Sequence, residues 1–258
     1  MGIITKSEKE IAIMKEGGNI LAEILKKLAT EIKIGIATME LENLARQLIE
    51  KARAESAFLG FKNYPAVLCT SVNEEVVHAK PSYRVLKEGD LLKIDMGILY
   101  RGFYTDSAIT LLVTDWAIFK IEQQEEYFQK NKLIKTTKEC LEIGISQAKI
   151  GNTIGDISFA IQNHAEKNGF SVIQDLVGHG IGRELHEEPE VPNFGAPGKG
   201  PKLKEGMVIA IEPMLSAGSH EVIEDKKTLA WMTKDSSLSA HFEHTIAIIK
   251  SGPLVLTK

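Results

Sequence analysis

Leu86-Lys87-Glu88-Gly89, running into Leu91-Leu92-Lys93-Ile94-Asp95, is met twice in this chain. The second copy is Leu203-Lys204-Glu205-Gly206, 117 positions on, running into Val208-Ile209-Ala210-Ile211-Glu212. Upstream, Lys33-Ile34-Gly35 recurs as Lys149-Ile150-Gly151, 116 positions on. Apolar positions behind that word carry over as well: Leu41 onto Ile157, Leu44 onto Ala160, Ala45 onto Ile161 and Ile49 onto Ala165. Short words of this kind flank turns in many proteins. Two of them in the same order at nearly one offset, with matching apolar spacing between, favour duplication of one unit. Each unit reads as helices followed by antiparallel strands. The expected class is α+β, with two related halves, roughly 1–120 and 121–258, in a single domain spanning 1–258.

The local signals agree. Ser7 with Glu10 forms a capping box, and Ile11, Met14, Leu21, Ile24, Leu25 and Leu28 follow at helical spacing, with Gly17 and Gly18 weakening the middle. Thr38 reads as the N-cap of a second helix carrying Leu41, Leu44, Ala45, Leu48 and Ala52 on one face. Leu91 to Val113 is rich in Leu, Ile, Tyr and Thr around Tyr100-Arg101-Gly102, a β-hairpin pattern. A polar segment, Glu122 to Lys132, leads to a helix over about Leu133 to Glu142, and another is expected over Ile154 to Lys167. Gly, His and Pro crowd Gly178 to Pro201, which reads as irregular. Strands return at Met207–Glu212 and Glu243–Ile249.

The 258 residues carry 31 Lys and Arg against 35 Asp and Glu, a net charge of −4, which argues against a nucleic-acid binder. Only Cys69 and Cys140 are present, too few for a disulfide framework or a cysteine zinc site, and they fit a reducing cytoplasm. No apolar run approaches the ~18 residues of a membrane span. Charges within Met1 to Glu10 interrupt any secretory-type apolar core.

The repeat sets Asp95 and Glu212 at equivalent places, each ending an apolar strand. Buried carboxylates need partners, because desolvating a charge costs several kcal/mol. If the hairpin turns between Tyr100 and Arg101, Asp95 and Asp106 are direct cross-strand neighbours, with Cβ atoms roughly 4.5–5.5 Å apart. Like charges so close need a divalent cation between them, or a shared proton with a raised pKa. Glu243 stands just before the apolar strand Ile246-Ala247-Ile248-Ile249, and His179 lies in Gly178-His179-Gly180-Ile181-Gly182 with His186 beyond it. The glycines exclude a helical His pair and suit close approach to a ligand. His179, His241 and His244 are evenly balanced, on their surroundings alone, between ligand and structural residue.

These residues together are similar to the type I methionine aminopeptidases, in the short bacterial form, over nearly the whole chain. The words that carry the resemblance are Asn73-Glu74…His78, Lys93-Ile94-Asp95, Asp106-Ser107, Gly178-His179-Gly180-Ile181-Gly182…His186-Glu187-Glu188-Pro189, Ile211-Glu212-Pro213-Met214 and Ser239-Ala240…Glu243-His244-Thr245. The resemblance implies the pita-bread fold, helices packed on a curved antiparallel sheet in two pseudo-symmetric halves. It also implies a site for two divalent metal ions (Co, Mn, Fe or Zn) on Asp95, Asp106, His179, Glu212 and Glu243. Asp106 and Glu243 would bridge, Asp95 would complete one ion, and His179 with Glu212 the other. His241 and His244 fall outside that ligand set and so read as structural.

The implied reaction is hydrolysis of N-terminal methionine by a hydroxide shared between the metals. Glu212 would move the proton, His186 would donate to the oxyanion and His78 to the scissile amide. Phe58, Phe61, Tyr64, Cys69, His78, Leu185 and His186 would hold the substrate, the methionine sulfur against aromatic rings. Three departures from the commonest pattern lie here: Leu185 where an aromatic is frequent, Ala79-Lys80 after His78, and a shortened segment that leaves Leu229 or Trp231 to close the pocket. The implied partner is a peptide or nascent chain with N-terminal Met, on the ribosome or free, handled by a cytoplasmic monomer with no nucleic acid or membrane involved. A proline-directed relative with a large N-terminal domain, a type II enzyme with a helical insertion between His186 and Glu212, and a metal-free binding protein are the rivals. The first two need chain that is not present, and the third would lack ligands that are.

Overall fold

The first helix begins where the sequence caps it. Ser7 Oγ accepts from the Glu10 amide at 3.4 Å, and the Glu10 carboxylate accepts from the Ser7 amide at 2.8 Å. In the computed structural model, which describes residues 2–115 and 124–258, helix α1 then runs Glu8–Glu31 without a break at Gly17 and Gly18. Those glycines are contact points. A Cβ on Gly18 would fall 2.1 Å from the Leu256 carbonyl oxygen, so no larger residue lets this helix lie so close to the end of the chain.

Helices α2 (Thr38–Lys51), α3 (Gln124–Gln147) and α4 (Ile154–Lys167) follow. Thr38 does not cap α2. It is the first helical residue and its hydroxyl donates to the Ser82 carbonyl; Ala37 holds the cap position, its amide bonded to Glu40. Helix α3 extends beyond Leu133 to Glu142 at both ends, with Tyr127 and Lys130 before that span and Gly144 after it continuing its buried face. The polar segment expected from Glu122 begins outside the described residues, as does the boundary expected between the halves at 120/121.

The strands are β1 (Glu55–Ser56), β2 (Cys69–Val72), β3 (Glu75–Val77), β4 (Leu91–Tyr100), β5 (Phe103–Leu112), β6 (Ser171–Val172), β7 (Gly178–Gly180) and β8 (Glu187–Val191). They continue with β9 (Val208–Ile211), β10 (Met214–Ser216), β11 (Val222–Glu224), β12 (Trp231–Thr233), β13 (Ser239–His241), β14 (Glu243–Ile249) and β15 (Gly252–Val255). Among the described residues one antiparallel sheet runs β1-β4-β5-β14-β9-β7-β8, with β2 joined to β4 and β15 to β14. Two small sheets, β13-β10-β6 and β11-β12-β3, complete the fold. The stretch Gly178–Pro201 is therefore not wholly irregular. Its His179 and Gly180 pair with Glu190 and Glu187, across a register shift.

The β4–β5 hairpin turns one residue later than its sequence suggests. Arg101 and Gly102, at φ 50° and 83°, take the left-handed conformations of the tight turn. Asp95 thus faces Ala108 and Asp106 faces Gly97, not each other. Moving the turn by one residue moves each partner by two, so both aspartates stay on one face as diagonal neighbours.

The duplicated words make the same hydrogen bonds in both halves. Gly35 N donates to Leu86 O at 2.9 Å, and Gly151 N to Leu203 O at 3.1 Å. Gly89 N donates to Val113 O at 2.8 Å, and Gly206 N to Ile248 O at 2.9 Å. Gly35 and Gly151 both turn at positive φ, 90° and 93°. Among the described residues one core lies under α1 and α2 (Met14, Leu21, Leu28, Leu41, Ile94, Met96), a second under α3 and α4 (Leu133, Cys140, Ile157, Ile161, Ile209, Ile246), and a small third joins Val76, Val77, Ile173 and Met214.

Candidate metal centre and active site

Five neighbouring strands of the large sheet bring one side chain each to the middle of the protein. In sheet order these are Asp95 on β4, Asp106 on β5, Glu243 at the start of β14, Glu212 just past the end of β9, and His179 on β7. Apolar residues on these strands anchor the row. Ile94, Met96, Ile209, Ile211 and Ile246 are buried and hold their strands in place. Asp106 is locked from behind: its amide donates to Thr245 Oγ1 at 2.9 Å, and that hydroxyl donates back to the Asp106 carbonyl at 2.8 Å.

Ligand atoms of Asp106, His179 and Glu243 lie within 4.8 Å of one another. His179 Nε2 is 3.7 Å from Glu212 Oε1, while Nδ1 lies 2.9 Å from the Gly180 carbonyl and donates to it. That bond assigns the proton to Nδ1 and leaves the Nε2 lone pair turned into the site. Asp95 Oδ1 and Asp106 Oδ1 are buried with no hydrogen-bond partner. Orphaned buried carboxylate oxygens are costly, and a divalent cation is the partner this oxygen-rich set with one imidazole suits.

The charge state says the same. Burial pushes the Asp106 carboxyl up to about 7. Burial, and then the neighbouring acids, hold Asp95, Glu212 and Glu243 well above the usual carboxylate range. Without a cation this cluster keeps protons; with one it can ionise.

A cavity of about 470 Å³ opens on the row. It is lined by all five of these groups and by all seven expected substrate-binding residues: Phe58, Phe61, Tyr64, Cys69, His78, Leu185 and His186. Phe58 and Tyr64 stack edge to face at 6.4 Å, and the Tyr64 hydroxyl donates towards the Leu68 and Ala79 carbonyls. Cys69 is buried opposite Asp95, and burial pushes its thiol up, so it offers an apolar sulfur rather than a thiolate. Leu229 and Trp231 both line the cavity.

His186 packs edge-on between His179, at 4.1 Å between ring centres, and Phe61, at 5.1 Å. His78 sits on a left-handed backbone, φ 64°. Both imidazoles show surface to the cavity but are walled elsewhere by protein, which lowers His78 to about 4 and His186 to about 3. They are neutral near pH 7 and present an N–H without carrying a charge.

Of the two histidines read as structural, His244 is so placed, its Nδ1 2.9 Å from Thr257 Oγ1. His241 is not remote from the centre: its Nε2 lies 3.5 Å from Glu212 Oε2. Sequence reasoning also leaves out Met214 and Lys62, which line the cavity. Met214 could be found two residues beyond Glu212. Lys62 had only its position between Phe61 and Tyr64 to mark it.

Residues 12–250 match the family described as metallopeptidase family M24. The chain is 45% identical over 256 residues to the methionine aminopeptidase of Clostridium acetobutylicum, covering 99% of this chain and 98% of that one. It is 44% identical over 260 residues to methionine aminopeptidase 1 of Bacillus subtilis, covering 99% of each. The crystal structure of methionine aminopeptidase from Thermotoga maritima superposes with a TM-score of 0.92 at 41% identity, covering 100% of both chains. The curled antiparallel sheet flanked by helices is thus the pita-bread fold expected from the sequence.

Proposed function

The chain belongs to metallopeptidase family M24, among its methionine aminopeptidases, and from that premise we propose that it cleaves N-terminal methionine with two divalent ions held by Asp95, Asp106, His179, Glu212 and Glu243. The row of ligands on five adjacent strands, all opening on one cavity, carries this reading. Asp106 and Glu243, neighbours in the row, would be shared by both ions; Asp95 would serve one, and His179 with Glu212 the other.

When bound, such a pair supplies Lewis acidity and a water made nucleophilic near neutral pH. The protein's own groups do the rest. Glu212 takes the proton from the attacking water and returns it to the leaving amine. Neutral His186 donates its N–H to the oxygen that gains charge, and neutral His78 donates to the scissile amide. Phe58, Phe61, Tyr64, Cys69 and Leu185 enclose the methionine side chain and exclude water, with Leu229 and Trp231 lining the same cavity. In this reading the two halves form one catalytic domain, working as a cytoplasmic monomer on peptides and nascent chains.

The deciding experiment is reconstitution of metal-stripped protein with Mn, Fe, Co or Zn, followed by assay on Met-Ala-type peptides of varied second residue. Release of free methionine that depends on added metal is expected. No release with any of the four metals would overturn the reading in favour of a binding protein.

A further inference from the structure

A second cavity, of about 570 Å³, adjoins the metal-lined one. The two share four residues: Lys62, Val177, His179 and His186. Among the described residues Lys62 is the one lysine shared by the two linings, and no carboxylate is shared. Its ammonium lies 5.4 Å from the centre of the Phe61 ring, and it has no ion-pair partner among the described residues. The backbone that presents it is unusual. Gly60, Lys62 and Asn63 stand at φ 85°, 45° and 66°, so two non-glycine residues in succession occupy the left-handed region. Such conformations cost energy and collect at ligand clamps.

Other charges border one cavity only. Glu184, Glu188 and Glu190 line the second, Glu224 lines the first, and Glu187 is taken up by Lys6. A peptide held by the proposed centre has its methionine in the first cavity and its remainder leaving past His78 and His186. The first charge common to that route is Lys62.

We infer that Lys62 is a specificity-determining residue that reads a carboxylate placed close behind the scissile bond. That carboxylate is either the C-terminus of a dipeptide or an Asp side chain at the third position. The inference rests on the proposed aminopeptidase reading. The reacting bond is untouched by it; the ammonium acts on encounter and binding, as rim charges do.

Two peptide pairs test it on the metal-loaded protein: Met-Ala against Met-Ala-amide, and Met-Ala-Asp-amide against Met-Ala-Asn-amide. The native protein is expected to favour the charged member of at least one pair by roughly fivefold in kcat/KM at low salt, chiefly through KM, consistent with a solvent-exposed ion pair. The pair that responds identifies the source of the carboxylate. Raising the salt should shrink the ratio. In Lys62→Met the ratio should collapse towards one, and in Lys62→Glu it should invert, at metal contents matched to native. A ratio is read rather than a rate, so a general loss of activity cannot mimic the result. A ratio near one for both pairs in the native protein, a ratio unchanged in Lys62→Met, or faster cleavage of Met-Ala-Lys-amide than of Met-Ala-Asp-amide would overturn the inference alone. No cleavage of any peptide would overturn the aminopeptidase reading with it.

Discussion

Asp106 stands second in the ligand row, between Asp95 and Glu243, and is pinned through its backbone by Thr245. Replacing it with Asn keeps its size but removes a charge that both ions would share. Asp106→Asn should lower metal stoichiometry, read by atomic emission, and cut peptide hydrolysis by at least ~100-fold, since even outer partners of ligands cost 10–100-fold. His186 is different: it touches His179 by ring packing but offers no buried orphan atom to a cation. His186→Ala should keep its metal and lose about 10²–10³ in kcat, the loss seen when one oxyanion donor is removed. An unchanged kcat with normal metal would remove His186 from the reaction.

At the scale of elements, helix α1 and the β4–β5 hairpin show two kinds of constraint. Gly18 looks in sequence like a weak point, worth up to ~1 kcal/mol against Ala by helix propensity. The packing reverses that sign, because the added methyl would lie 2.1 Å from the Leu256 carbonyl oxygen. Gly18→Ala should therefore destabilise by about 1–3 kcal/mol, the range for overpacking, as measured by urea unfolding. A stabilised variant would show that the chain end yields instead. In the hairpin, Arg101-Gly102 forms the turn because Gly102 accepts a left-handed backbone freely. Placing both aspartates on one face survived the misplaced turn because strand faces alternate with a period of two. Their direct opposition did not survive, since register depends on which two residues turn.

For the whole molecule, the clustered acids link stability to pH. An acid whose folded pKa lies above its unfolded one binds its proton more tightly when folded, so it loses stability as pH rises between the two values. For Asp106 that window runs from about 3.8 to about 7, and Asp95, Glu212 and Glu243 extend it upwards. The histidines oppose it. His78, His179 and His244, lowered to about 4, and His186 and His241, lowered to about 3, lose stability as pH falls below 6.5. Above pH 7 the histidines are neutral in both states. Lys93, lowered to about 7 by burial, then offsets only one of the acids. The metal-free protein should lose melting temperature from pH 6.5 to 8, while the metal-loaded protein, whose ligands are already ionised, should not. Parallel melting curves for the two forms across that range would refute the linkage.

The duplicated words, the capping box at Ser7 and Glu10, the helix over Ile154–Lys167 and the strand over Glu243–Ile249 follow from sequence alone. They rest on apolar spacing and on hydrogen bonds between residues a few positions apart. The five candidate ligands are named in the sequence by the family resemblance; on their surroundings alone Asp95, Asp106, Glu212 and Glu243 stand out as acids beside apolar strand residues, while His179 is evenly balanced. Other features needed the tertiary structure. Glu243 comes beside Asp106 only because β14 lies against β5 in the sheet, although more than a hundred residues separate them in the chain. His241 reaches Glu212, and Lys62 reaches the junction of two cavities, through contacts between distant segments. Such contacts depend on how the sheet and loops pack against one another, and local periodicity carries no information about that packing.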